Sequence, residues 1–258
     1  MNGFALFFKK EFSEIIKTVK GVVLAIIFLV VGISSPAITK LTPEILKMAG
    51  LDEDMGALMD IMPAPSSSES YAQFFSNFNT LGLLAAIIVF AGIVANEKAK
   101  NTAAYILTKN ISRAQFILSK FASSAVWIFI SLVISAATQI IYTNILFADN
   151  MIKLENVIIF FALLFMYLIF ILSFVLFSSV LSKTVTSATF IAFLIFIGVN
   201  ILAAIPKIGK YMPPAINNFG IITGAQSISG LTANIIITVL CSAAFVIFSV
   251  VLFNRQEL

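Results

Sequence analysis

The chain has 258 residues but no histidine, one cysteine, and only 11% charged residues. The missing histidine removes the commonest general base and metal ligand. Cys241 is alone, so it forms no intramolecular disulfide and reads as a small hydrophobe in an apolar run. There is no Gly-x-x-x-x-Gly-Lys-Ser/Thr phosphate loop. The only Gly-Lys pair, Gly209-Lys210, is followed by Tyr211. These absences argue against a metalloenzyme, a histidine-dependent hydrolase and a self-contained ATPase. The expectation is a chain that is not itself an enzyme and holds no cofactor or metal.

The scarcest feature is charge within certain stretches. No Asp, Glu, Lys or Arg lies between Lys20 and Lys40, Glu69 and Glu97, Lys120 and Asp149, Glu155 and Lys183, Lys183 and Lys207, or Lys210 and Arg255. A hydrocarbon core about 30 Å thick is crossed by roughly 20 residues of helix. Each stretch reaches or nearly reaches that length. What is present agrees: 60% hydrophobic residues and a mean hydropathy of +1.06. A soluble domain of this size does not tolerate such a surface. The fold class read here is an all-α polytopic membrane protein with six transmembrane helices, forming a single unit over residues 1–258. The spans fall near Gly21–Ile38, Phe78–Ala95, Arg113–Phe147, Val157–Leu181, Val185–Ile205 and Thr232–Phe253.

Before the first span, residues 1–20 repeat Phe4, Phe7, Phe8, Phe12, Ile15, Ile16 and Val19 at spacings of three and four. That is one face of an amphipathic helix lying in the headgroup layer. Ser34, Ser35 and Pro36 are expected to end the first span. A loop over 39–76 then follows outside, with Thr42 capping a short helix. Residues 206–231, rich in Pro and Gly yet nearly free of charge, read as broken helices re-entering the outer leaflet. With both ends cytoplasmic, five of the 16 Lys and Arg (Lys40, Lys47, Lys153, Lys207, Lys210) fall outside and the rest inside. This is the bias of cytoplasmic loops. The positive balance is therefore a topology signal, and no nucleic-acid partner is implied. The partner implied directly is the lipid bilayer.

The inner loop over 96–118 carries the most local information. Asn101 or Thr102 caps a short helix, and Ser112 with Gln115 has the spacing of a capping box before Phe116, Ile117 and Leu118. Tyr105, Ile106 and Leu107 form an apolar knob rimmed by Lys100, Lys109 and Arg113. Such a knob on the wet side suits either protein docking or packing against the amphipathic leader helix. Uncharged polar residues in the spans are the candidates for touching cargo: Asn77 and Asn79, Gln139, and Asn200. Their alternative role is helix-to-helix hydrogen bonding.

Glu97, Thr102, Ile106-Leu107, Ile111-Ser112-Arg113 and Lys120 resemble the inner-loop signature of the type-two ABC permeases, the membrane subunits of bacterial ABC exporters. Asn110 stands where that family commonly has Pro. The resemblance extends to the leader ("elbow") helix, the six spans and the re-entrant segment. It implies a permease in the bacterial plasma membrane, working as a homodimer with two copies of an ABC ATPase that carries the ATP and Mg. Glu97, Thr102, Tyr105, Ile106, Leu107, Ser112 and Arg113 would couple the permease to that ATPase. Asn79 and Asn200 would border the path of a lipophilic or amphipathic cargo, possibly a peptide, moved outward by alternating access. The alternatives are an ATP-independent secondary transporter or channel, or the membrane anchor of a sensor complex.

Overall fold

The computed structural model describes residues 3–48, 65–102, 111–147 and 152–256. All regular structure among them is helical. The leader is α1, Gly3–Lys17, set off from α2, Val19–Met48, by a bend at Thr18. The second span is composite. It comprises α3 (Ser67–Asn77), a π-helical turn (Phe78–Gly82) and α4 (Leu83–Ala91), and it continues past a break as α5 (Ala95–Ala99). Then come α6, Arg113–Leu146, α7, Leu154–Leu181, and α8, Val185–Ala203. Short pieces follow: α9 (Pro206–Gly209), a 3-10 turn (Pro213–Ile216) and α10 (Gly220–Thr223). The last is α11, Ile228–Asn254. Six helical stretches among the described residues are long and apolar enough to cross a membrane. The chain is an all-α, multi-span membrane protein.

The helices run back and forth, so the bundle has two ends. The proximal end holds α1, α5, the start of α6 and the end of α11. The distal end holds α9, the 3-10 turn and α10. The central helix is α7, 67% of whose apolar window is buried, against 11% for α8. It packs against α4, α6, α8 and α11. Phe28, Phe74, Phe78, Phe160 and Phe161 interlock at its distal half. Ring centroids there are 4.7 Å apart for Phe28 and Phe78 and 5.3 Å for Phe74 and Phe161. Such aromatic pairs add to the dispersion energy of a core that lipid alone does not drive together.

Two expectations are corrected by backbone chemistry. The first span does not stop at Pro36. α2 runs on through both Pro36 and Pro43 to Met48. Proline removes one N–H, but the hydroxyls of Ser35, Thr39 and Thr42 each bond to the carbonyl four residues back, at 2.7, 3.0 and 2.7 Å. These bonds fall on the Val31, Ser35 and Ile38 carbonyls, beside the Gly32 and Thr39 carbonyls that the prolines free, and packing against neighbouring helices holds α2 through both breaks. Thr42 is therefore inside a helix and caps none. The second span also begins earlier than Phe78, at Ser67. Ser66 and Glu69 form a full capping box there, with Glu69 N–H donating to Ser66 Oγ at 3.3 Å and Ser66 N–H to Glu69 at 3.1 Å.

Other boundaries stand close to the sequence reading. The Ser112–Gln115 capping box opens α6, with Gln115 N–H donating to Ser112 Oγ at 3.1 Å. The tight turn Ser182–Thr184 joins α7 to α8, and the distal segment is three short broken helices. Asn101 is the one described non-glycine residue with positive φ, at 55°. It follows α5 in a left-handed turn, a conformation Asn tolerates, and helix resumes at Thr102, where the sequence had suggested a helix start.

Candidate functional site

The four polar candidates in the spans separate into two pairs. Gln139 is fully buried in α6 and donates to the Ser70 hydroxyl at 3.1 Å and to Thr143 at 3.2 Å. Ser70 and Thr143 share a hydrogen bond of 3.0 Å. Asn77 donates to Ser35 at 3.1 Å. These side chains join α2, α3 and α6 and act in packing.

Asn79 and Asn200 do something else. Both line a cavity of about 470 Å³ at the distal side of the bundle, with Phe75, Tyr167, Phe196 and Asn217. Three elements build it. The π turn Phe78–Gly82 inserts a residue into the second span and turns Asn79 and Thr80 toward the cavity; single π turns in α-helices recur at functional sites. α8 presents Asn200, whose amide donates to the Phe196 carbonyl at 2.8 Å. The distal segment presents Asn217, whose amide donates to Asn79 Oδ1. Asn79 in turn donates to the Phe75 carbonyl at 2.8 Å. Asn217 Oδ1 is buried with no hydrogen-bond partner. The wall is thus amide, hydroxyl and aromatic, with no charged side chain. The sequence reading missed Asn217, because a loop asparagine carries no periodicity that points inward.

One further contact ties the distal segment to the last span. Asn234 of α11 donates to the Lys210 carbonyl. Gly224, at φ 74°, closes α10 in a conformation glycine adopts freely.

The proximal end is an interlocked polar cluster. Lys120 of α6 is 3% exposed and bonds to Glu11 of α1 at 2.7 Å and to Glu97 of α5 at 2.8 Å. Lys10 reaches Glu11 and Glu14, both at 2.8 Å. Burial pulls the Lys10 ammonium down, but its bonds to Glu11 and Glu14 outweigh it and hold the group above its usual range. The same bond from Lys10 holds the Glu14 carboxyl below its usual range. Beside them Phe7, Phe116 and Phe253 stack, with centroids 5.5 and 5.2 Å apart.

Arg113 Nη1 donates to the carbonyls of Phe253, Asn254 and Gln256 at 3.2, 2.9 and 2.8 Å. It caps the end of α11. Lys98 donates to the Val180 carbonyl at 2.7 Å and to Gln256 at 3.0 Å. Thr102 donates to the Glu97 carbonyl at 3.2 Å. Of the seven residues expected at the inner loop, Glu97, Thr102, Ser112 and Arg113 therefore bond within the chain. Tyr105, Ile106 and Leu107 lie outside the described residues.

Two comparisons with known proteins bear on identity. A family model described as "Protein of unknown function (DUF2705)" matches residues 55–258. An "Uncharacterized transmembrane protein YxlG" of Bacillus subtilis (strain 168) is 31% identical over 141 residues, 55% of this chain. The match spans about half of that relative's length, 54%. The resemblance to the type-two ABC permeases is overturned by these findings: the family that matches is a different one. The features that carried it were an amphipathic leader, a capped inner loop and six spans. Each answers a general demand of helices in a bilayer, so together they do not single out a family.

Proposed function

We propose that this chain, which belongs to the DUF2705 family, is a transport subunit that moves an uncharged amphipathic cargo out of the cytoplasm or inner leaflet. The carrying observation is the 470 Å³ cavity, in which Asn79, Asn200 and Asn217 converge beside Phe75 and Phe196. Amides between aromatic rings suit a molecule with both hydrogen-bonding groups and apolar surface. A charged cargo finds no counter-ion there.

The cavity opens beside α8, the least buried span, and its floor is a π turn. Rocking of α8 and the distal segment about that turn would alternately expose and cover the amides. The chain has no phosphate loop, so energy would come from outside it. In this reading a separate ATP-hydrolysing subunit, carrying its own Mg, docks at the cytoplasmic face through the inner loop. A second copy of the chain completes the assembly, in a bacterial plasma membrane with both ends inside. The bonds from Glu97 to Lys120 and from Arg113 to the end of α11 support the transmission, because they make the proximal end one stiff body. Glu97, Thr102, Tyr105, Ile106, Leu107, Ser112 and Arg113 keep the proposed coupling role.

The test is cellular retention. A strain lacking the gene and one complemented with it are compared for accumulation of a panel of neutral amphipathic compounds, peptides included. Complementation should lower accumulation of at least one class. Asn79→Leu combined with Asn200→Leu should lose about tenfold of that effect, roughly 1.4 kcal/mol of recognition, at unchanged membrane abundance. If no compound responds, or the double variant works as well as the original, the reading is wrong.

A further inference from the structure

The proximal end contains a second cavity, which the transport reading does not use. Its volume is about 110 Å³. It lies where two helices break. Thr18 separates α1 from α2, and its hydroxyl turns back to the Ile15 carbonyl at 3.0 Å. Gly92–Val94 separates α4 from α5. There Asn96 N–H bonds to the Gly92 carbonyl, and the N–H groups of Glu97 and Lys98 both bond to Val94. Val94 and Ala95 give their N–H groups to Ser179 Oγ, both at 3.0 Å. The carbonyls of Ala91 and Ile93 therefore receive no N–H from these residues. Unwound carbonyls at a helix break are a recurrent way of binding small cations in membrane proteins.

The carboxylates around the cavity are only partly paired. Oxygens of Glu11, Glu14 and Glu97 lie within 4.8 Å of one another. Lys10 and Lys120 are the ammonium groups bonded to them. Lys20 is a third ammonium group on the lining, so the formal charges balance, but the ion pairs do not take up every carboxylate oxygen. The unmatched oxygen is identifiable: Glu97 Oε2 is buried without a hydrogen-bond partner. A separate observation points into the same space. Ser124 of α6 has no exposed surface, lines the cavity, and its hydroxyl also has no partner. A buried orphan carboxylate oxygen and a buried orphan hydroxyl are both costly unless something fills the gap. Lys20 lines the cavity too, but it is exposed and forms no ion pair within 4 Å among the described residues.

We infer that this cavity is a binding site for a monovalent cation, Na⁺ or K⁺. Glu97 Oε2, Ser124 Oγ and the Ile93 carbonyl are the protein ligands, and water completes the shell. One free carboxylate oxygen, Glu97 Oε2, fits one positive charge. A divalent ion would need carboxylate oxygens that Lys10 and Lys120 already hold, and an anion would meet Glu14 and Glu97. The site lies outside the cargo cavity and stands whether or not the cargo reading does.

The experiment is thermal unfolding of the purified full chain in detergent or nanodiscs. Ionic strength and pH are held constant while Na⁺ or K⁺ replaces N-methyl-D-glucamine. At saturation one or both ions should raise the midpoint by roughly 2–4 °C. Ser124→Ala leaves every ion pair intact and should weaken the ion's apparent affinity about tenfold. Glu97→Gln should abolish the response. Equal midpoints in all three salts overturn the inference, and so does an undiminished response in Ser124→Ala. A Lys20→Ala variant that gains a response absent from the original also overturns it, because Lys20 itself would then be the occupant. A midpoint that follows pH and ignores the cation assigns the charge to a proton and likewise overturns it.

Discussion

At the scale of single residues, Lys120 shows how burial changes what a charge does. Its ammonium is 3% exposed and is held by two carboxylates from different helices. Removing one member of a buried ionic group strands the others. Lys120→Met should therefore destabilise the chain by roughly 3–5 kcal/mol. Adding Glu97→Gln and Glu11→Gln to it should recover part of that loss in denaturant unfolding. The surface pair beside it responds to pH. Glu14 has a carboxyl lowered by Lys10, so its contribution is present above its ordinary value of 4.5 and fades as pH falls through the lowered one. Lys10 is raised, so its contribution is full below 10.5 and fades as pH climbs past that value. Trp127 reports on α1, since Phe12 meets its ring at 6.2 Å and its indole N–H donates to the Gly21 carbonyl at 3.0 Å. Its emission should be flat at intermediate pH and shift at both extremes. None of this cluster was legible in the sequence as a unit. Glu11, Glu97 and Lys120 are separated in the chain, and Glu97 and Lys120 were read as parts of an inner-loop signature, not as ion-pair partners of the leader helix. Polarity alone offered Asn77, Asn79, Gln139 and Asn200 without ranking them, and only the fold separates the two that pack helices from the two that share a cavity.

At the scale of elements, helix periodicity and caps carried most of the reading. The Ser112–Gln115 box, the leader helix and the Ser182–Thr184 turn follow from local rules. Pro36 was weighed as the end of a span and Pro43 as the start of a separate short helix, whereas α2 runs through both. The π turn left no sequence signal, because Phe78–Gly82 has ordinary helical composition. α2 and α6 approach closely where Gly32 lies. A Cβ there would stand 2.6 Å from the Ser135 carbonyl oxygen and 2.3 Å from Thr138 Oγ1. Ser135 also donates to the Phe28 carbonyl at 2.7 Å. Gly32→Val should cost about 1–3 kcal/mol by forcing the helices apart. Gly198→Val, where nothing lies within 4 Å, should cost far less in the same unfolding assay.

At the scale of the whole molecule, six spans bring the first and last helices to the same end of the bundle, and the proposal that this end is cytoplasmic rests on charge asymmetry. The sequence supplies its own probe: Asn110-Ile111-Ser112 is a glycosylation sequon. In a eukaryotic translocation assay it should remain unmodified, while a sequon introduced near Asp149 should be glycosylated; the reverse pattern inverts the topology. The contact between Phe7, Phe116 and Phe253, with Arg113 beneath it, has a mechanical meaning. One rigid corner clasps the leader, the root of α6 and the tip of α11. A force applied at that corner cannot move one of the three alone, so a protein gripping it there would turn the membrane bundle as a lever turns its shaft.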